Sequence, residues 1–320
     1  MKIASEEKNN VSKSGKGKLA KPFLKWAGGK SQLLETFTNF YPEELETNRI
    51  KNYYEPFIGG GAVFFDVVQK YSIEAAFLFD INEELILTYQ VVQKDVNKLV
   101  EQLHELQNRY LRLNQDERSE FFYKVRNEFN KNRLSIEYSR YSEKWITRAA
   151  QIIFLNKTCF NGLFRFNSKG EFNVPAGRYK NPKILDEPNL RNVSKTLEIA
   201  EIRKADFTEI TNLVKPLSFV YFDPPYRPLN KTSSFTSYSK KIFGDDEQEQ
   251  LAAIFSELHQ KGIKLMLSNS DPKNYDPDDC FFDELYKHFN IYRVLAKRSI
   301  NSVASKRKAI KEIIVTNYAV

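Results

Sequence analysis

Short apolar runs alternate with longer amphipathic stretches along most of the chain. Tyr53–Phe57 is a brief apolar run that enters Gly59-Gly60-Gly61. The helical spacing of apolar positions from Ala62 to Lys70 predicts a helix, and Ala75–Phe79 is a second short run closed by Asp80. Strand, glycine turn, helix, strand and acid form the first half of a doubly wound α/β unit. Leu217–Phe222 reads as a buried strand that stops at Asp223-Pro224-Pro225, followed by a helix over roughly 246–260 and a further strand at Lys264–Ser268. Arg293–Leu295 and Glu312–Thr316 predict a terminal antiparallel pair.

Between these pieces the texture changes. From about Glu83 to Phe154 the pattern is helical and charged. From Phe160 to Lys183 it is aromatic, basic and turn-rich, and Asn167-Ser168-Lys169-Gly170 is a turn signal that predicts a β-hairpin. An α/β core interrupted in this way predicts an inserted domain: residues 20–83 and 185–320 form the core, and 84–184 the insertion. Residues 1–19, rich in Lys, Ser and Asn without periodicity, read as a disordered basic tail.

Composition narrows the class. The chain has 320 residues, 49 Lys+Arg against 41 Asp+Glu, a net charge of +8, 41% hydrophobic and 14% aromatic residues. This is enough apolar material for a sizeable core, and the positive excess admits a polyanionic partner. With 2 Cys and 3 His there is neither a disulfide framework nor the ligands of a four-coordinate zinc site. No apolar run approaches the ~20 residues of a membrane span. The N-terminus lacks the apolar core of a secretory signal, so the expected location is the cytoplasm.

Three segments carry candidate chemistry. In Pro22–Ser31 the ending Gly29-Lys30-Ser31 suggests a nucleotide triphosphate loop, but that loop requires glycine where Leu24 stands. The better reading is a backbone approach to a ligand, with Trp26 offering a flat face and Lys30 a partner for a carboxylate. Glu55-Pro56-Phe57-Ile58-Gly59-Gly60-Gly61 follows a strand and opens a helix, and Asp80 lies about 20 residues on, where an acid accepts bonds from both ribose hydroxyls. That pairing points to an adenosine-type ligand and leaves a dinucleotide and S-adenosylmethionine both open. Asp223-Pro224-Pro225-Tyr226 closes a strand at the edge where open α/β sheets bind ligands. The Asp223 carboxylate and the Pro224 carbonyl make two acceptors for a planar amine, and Tyr226 offers a face for stacking. In the insertion, Asn173 and Arg178 are residue types that read adenine and guanine through paired hydrogen bonds, and Lys306-Arg307-Lys308 is suited to phosphate contact.

Together these residues resemble the Dam-like DNA adenine methyltransferases (D12 class, alpha group). LKWAGGK, EPFIGGG, the acid in FDIN and DPPY occur in the family's order, and the resemblance runs from about Lys21 to Val320. It implies a Rossmann-like methyltransferase sheet with an inserted, mainly helical target-recognition domain bearing a hairpin. It implies S-adenosyl-L-methionine as cofactor. Trp26 and Lys30 would contact its methionine part, Glu55, Phe57, Gly59 and Gly61 would form its pocket, Asp80 and Ile81 would lie at the ribose, and Asp206 and Phe207 at its adenine. Asp223, Pro224 and Tyr226 would act on the N6 amine of an adenine flipped out of double-stranded DNA. Arg165, Asn173, Pro175 and Arg178 would meet DNA, with Lys306 and Arg307 on phosphates. GEFNVPAGRYKNP resembles the recognition hairpin of members that methylate GATC, although Ala176 stands where many relatives have an aromatic residue. The resemblance further implies a monomer; a modification component of a restriction–modification system, without an obligate complex with the endonuclease, is the expected role, with a housekeeping role in replication and repair left open. The chemistry needs no metal. Asp-Pro-Pro-Tyr also suits a methyltransferase acting on RNA adenine or protein glutamine, and the fold would suit an inactive DNA-binding module.

Overall fold

Seven strands build one sheet in the order β3-β2-β1-β4-β5-β7-β6. They are β1 (Asn52–Glu55), β2 (Ala75–Asp80), β3 (Ala200–Lys204), β4 (Ser218–Phe222), β5 (Lys264–Ser270), β6 (Asn290–Ala296) and β7 (Ile310–Thr316). The computed structural model describes residues 19–227, 243–296 and 310–320. Apart from Leu19 the expected tail lies outside them, as do Lys306 and Arg307. The first five strands of the order run parallel, and β7 is antiparallel to both β5 and β6. The terminal antiparallel pair thus forms as expected, with its second strand inserted between β5 and the edge.

Side-chain alternation explains why both faces are covered. Tyr53, Phe219, Tyr221, Met266 and Ile314 point into one core, and Tyr54, Val220, Phe222, Leu265, Leu267, Ile313 and Val315 into the other. All five residues of β4 are buried, as a parallel strand between two layers requires. The second core is closed by α10 (Asp245–Gln260) through Leu251, Phe255 and Leu258, and by α11 (Phe281–Leu285) through Phe282. Three acids in the first turn of α10 complement its N-terminal dipole.

The first core is larger because the helices between β2 and β3 share it. Short helices α1 (Leu34–Thr38) and α2 (Glu43–Glu46) and the longer α3 (Ala62–Lys70) cover this face, followed by α4 (Glu83–Lys94), α5 (Val96–Arg112), α6 (Gln115–Asn132), α7 (Lys144–Thr158) and α8 (Glu187–Thr196); α9 (Ile210–Leu213) precedes β4. Asn82 caps α4 by accepting from the Glu84 and Leu85 amides, and Asn114 with Glu117 forms a capping box on α6. α4 packs on β2 and β3 as well as on α7, and Leu99, Phe122, Phe154 and Phe172 of the insertion join Tyr53, Leu78 and Phe219 in one apolar cluster. Arg148 of α7 is buried, forms a salt bridge with Glu84, and stacks over the Phe129 ring at 3.4 Å.

The segment expected to be a hairpin takes a looser form. Its arms meet in two isolated bridges, Cys159↔Ala176 and Phe166↔Phe172, closed by a turn in which Gly170 N–H donates to Asn167 O at 2.8 Å. Pro175 has no amide hydrogen for a ladder. Backbone bonds also cross between the arms, from the Phe160 amide to Pro175 O, Gly177 to Thr158 O, Asn167 to Glu171 O and Asn173 to Arg165 O, while Phe166 and Phe172 pack on Phe129 and Phe164 packs on both of them.

Candidate active site

The chain runs from β1 outward to β2 and β3, then returns to β4 on the other side of β1. This makes the β1/β4 boundary the topological switch point, and ligands of open α/β sheets bind beyond the carboxyl ends of the strands there. Glu55 ends β1, Asp80 ends β2, Asp206 and Phe207 follow β3, and Asp223-Pro224-Pro225-Tyr226 follows β4. Residues chosen from four separate stretches of sequence therefore line one edge.

On the β1–β3 side the backbone is shaped by its glycines. Gly59 has φ +43°, and a Cβ there would stand 2.7 Å from the Trp26 indole nitrogen. Gly61 has φ +70°, and its Cβ would meet the Tyr89 hydroxyl at 2.7 Å. Gly59 is thus close-packed beneath Trp26 and Gly61 against Tyr89; the Trp26 ring also lies 5.2 Å from that of Phe164 in the loop after residue 158. Asp80 accepts from the Gly59 amide at 3.2 Å and the Asn82 amide at 2.9 Å. Burial pushes its carboxyl up to about 6, partly offset by those backbone donors. Beside it Ile81 is 45% exposed, an apolar face at the rim. Phe57 and Phe207 stack at 5.4 Å. The Asp206 carboxylate caps the turn that follows, accepting from the Thr208 amide and hydroxyl. Glu55 is buried, accepts from the Tyr53 hydroxyl at 2.7 Å, and burial holds its carboxyl well above the usual range. An acid at the β2 end, an exposed apolar residue and an aromatic pair form an acceptor and contact set that fits an adenosyl group.

On the β4 side Lys30 reaches across the site. Its ammonium donates to Asp223 Oδ1 at 2.6 Å and to Gly28 O at 2.9 Å, and lies 3.3 Å from the Tyr226 hydroxyl. Burial opposes the Lys30 charge, but the Asp223 carboxylate, with Tyr226 and Glu312, outweighs it and keeps the amine protonated. Burial raises the Asp223 carboxyl, and Lys30 and Ser268 pull it back. Lys30 was expected to face a ligand carboxylate; in this structure it meets a carboxylate of the protein. Ser268 of β5 donates to Asp223 at 3.3 Å and contacts the Tyr221 hydroxyl at 2.7 Å. The Tyr226 hydroxyl donates to Glu312 Oε1 of β7 at 2.9 Å, while 36% of the residue stays exposed. Pro224 is buried and Pro225 exposed, its carbonyl accepting from Gln248 at 3.1 Å.

The loop that carries the candidate base readers begins directly after α7. Arg165 Nε donates to Asn173 Oδ1 at 3.0 Å, so these two candidate base readers hold each other across the arms. Pro175 is exposed, and its carbonyl accepts from the Phe160 amide at 2.9 Å. Arg178 is exposed and has no ion-pair partner among the described residues. Lys306 and Arg307 fall outside the described residues. The structure adds residues without a sequence signal. Glu312 and Ser268 join the Asp223 network only through strand adjacency. Phe160 is 53% exposed, next to Asn161 at φ +56°. Asn156 pairs with the Lys25 backbone through both its amide atoms, at 2.8 and 2.9 Å, and also donates to Gly162 O at 3.1 Å.

Known proteins resemble this chain in sequence. The profile of the D12 class N6 adenine-specific DNA methyltransferases matches residues 26–300. The type II methyltransferase M.MjaIII of Methanocaldococcus jannaschii is 53% identical over 299 residues, 93% of this chain and 99% of that protein. The type II methyltransferase M1.LlaDCHI of Lactococcus lactis subsp. cremoris is 38% identical, covering 93% and 95% respectively. The DNA adenine methylase of Escherichia coli K12 is 32% identical, covering 91% and 93%. With a sheet, a glycine turn and an Asp-Pro-Pro-Tyr edge to match, the chain belongs to the D12 class of N6 adenine-specific DNA methyltransferases.

Proposed function

We propose that the protein methylates the N6 amine of a flipped adenine within a fixed site in double-stranded DNA, with S-adenosyl-L-methionine as donor. The observation that carries this reading is the Asp223 carboxylate at the carboxyl end of β4, beside the exposed ring of Tyr226 and across the switch point from Asp80. Trp26, Glu55, Phe57, Asp80, Ile81 and Phe207 would hold the cofactor, which supplies a methyl group on a cationic sulfur. The amine of adenine is a poor nucleophile because its lone pair is spread into the ring. Asp223 and the Pro224 carbonyl accept its two N–H bonds and localise that lone pair on the donor side. Positive charge grows on the nitrogen in the transition state, where a fixed carboxylate helps most.

An adenine inside a duplex cannot reach this edge, so it must leave the stack. The Tyr226 ring stabilises the extruded base by about 1–3 kcal/mol if it stacks as aromatic platforms do. The segment 84–184, sharing its core with the sheet, serves as the target-recognition domain. Arg165, Asn173, Pro175 and Arg178 meet the DNA, and Phe160, exposed on a strained turn, is placed to enter the base stack. GATC is the proposed target, from the likeness of the 170–182 segment to hairpins that read it. The type II methyltransferase names of two relatives support a restriction–modification role, with the enzyme acting as a monomer without a stable endonuclease complex.

Sequencing that maps modified adenines in DNA from cells expressing the protein tests substrate and site together. N6-methyladenine confined to one short sequence is expected. Labelled methyl groups found in RNA or protein instead would overturn the DNA reading.

A further inference from the structure

One cation in the site stands between two acids. Lys30 Nζ lies 2.6 Å from Asp223 Oδ1 and 4.0 Å from Glu312 Oε2. Glu312 is only 5% exposed, and its Oε1 is occupied by the Tyr226 hydroxyl. Its Oε2 is buried without a hydrogen-bond partner among the described residues. A buried carboxylate oxygen left unpaired is costly and calls for an explanation. The explanation is within reach: the flexible Lys30 stem needs to carry its ammonium only about 1 Å further to bond that oxygen. The Tyr226 hydroxyl, 3.3 Å from the ammonium and 2.9 Å from Glu312 Oε1, borders the path.

The charge count gives the shift its purpose. One ammonium and two carboxylates leave a single uncompensated negative charge. With the ammonium on Asp223, that charge sits on Glu312, away from the position proposed for the amine. Asp223 then has little field left for the positive charge that grows on nitrogen. With the ammonium on Glu312, the negative charge sits on Asp223.

We propose that Glu312 is a positioning residue that draws the Lys30 ammonium off Asp223 when the target amine binds. The proposal rests on the adenine methyltransferase reading above and deepens it. Lys30 holds Asp223 Oδ1 in the arrangement seen, and Glu312 clears that oxygen for reaction. No bond to carbon or proton transfer is involved in the exchange, only the movement of one ammonium between two carboxylates.

Glu312→Gln tests it, since the amide keeps an acceptor for Tyr226 and loses the charge. Single-turnover transfer of labelled methyl from saturating S-adenosylmethionine to duplex DNA should slow by roughly 10- to 100-fold, the scale of groups that orient a reacting ligand. Cofactor affinity, measured by calorimetry, should stay within about 2-fold, because the residue acts on a transition-state interaction. Glu312→Asp, which keeps the charge, should recover most of the rate. In a Lys30→Met background Glu312→Gln should add little, since the two residues act as one unit. Equal rates for wild type and Glu312→Gln, an Asp variant as slow as the Gln variant, or full additivity with Lys30→Met would each overturn the proposal. A wild-type enzyme without activity on DNA would instead overturn the function reading.

Discussion

The Asp80 carboxyl is pushed up to about 6 by burial, so it changes charge just below neutrality. The ionised form accepts from both hydroxyls of a ribose, whereas the neutral acid gives up one acceptor. Ligand binding therefore favours the ionised form, and affinity should rise with pH through about 6 and level off above it. Calorimetric titration of S-adenosylmethionine from pH 5 to pH 8 checks this, with Asp80→Asn expected to bind weakly at every pH. An affinity that does not vary with pH in the wild type would remove Asp80 from the ribose site. Arg178 is the other residue with a separable role. If it pairs with guanine through two bonds, Arg178→Ala should cost about 1–3 kcal/mol on the cognate sequence and relax choice at one base pair. Competition between duplexes differing at single positions measures it, and uniform weakening on all of them would make Arg178 a phosphate contact.

Among the elements, α7 and the loop after it depend on one buried amide. Asn156 satisfies the Lys25 N–H and C=O and the Gly162 carbonyl at once, tying the Trp26 segment to the loop after α7. Asn156→Ala leaves the buried Gly162 carbonyl and the half-buried Lys25 groups without this partner and should lower stability by about 1–3 kcal/mol. Denaturant unfolding reads that loss; a change within about 0.5 kcal/mol, the range of ordinary surface substitutions, would show that the loop does not rely on this splint. The elements themselves were largely legible. α3 begins and ends where the apolar spacing of 62–70 placed it, and β2 and β4 end at the acids that announced them. The expected hairpin was legible from its turn, and its arms do exchange backbone bonds. The packing of Phe166 and Phe172 on Phe129 of a distant helix was not legible, because no local pattern carries it.

At the scale of the whole molecule, sheet and insertion are one packing unit. Leu99, Phe122 and Phe154 belong to the same apolar cluster as Tyr53, Leu78 and Phe219, so neither part can expose its face without opening the other. Calorimetry should show a single cooperative transition, with the calorimetric and van't Hoff enthalpies equal; two resolved transitions would mean that the insertion folds by itself. This coupling also explains which site residues the sequence concealed. Glycine turns, Asp80 and Asp-Pro-Pro-Tyr are local signatures, and they could be read directly. Glu312 and Ser268 carry no motif; they enter the site because β7 and β5 lie beside β4 in the sheet. Lys30 had a motif, but its bond to Asp223 spans 193 positions of chain and exists only once the sheet is assembled. Among the described residues no helix is long and apolar enough to cross a membrane, and the excess of positive charge belongs with a polyanionic substrate.

The proposed chemistry turns on Asp223 gripping the target amine. Single-turnover methyl transfer to duplex DNA by Asp223→Ala, with the product analysed for N6-methyladenine and DNA affinity measured alongside, tests it most directly. The account predicts a rate lower by about 10³-fold or more with DNA binding largely retained. A variant that forms N6-methyladenine at close to the wild-type rate would contradict it.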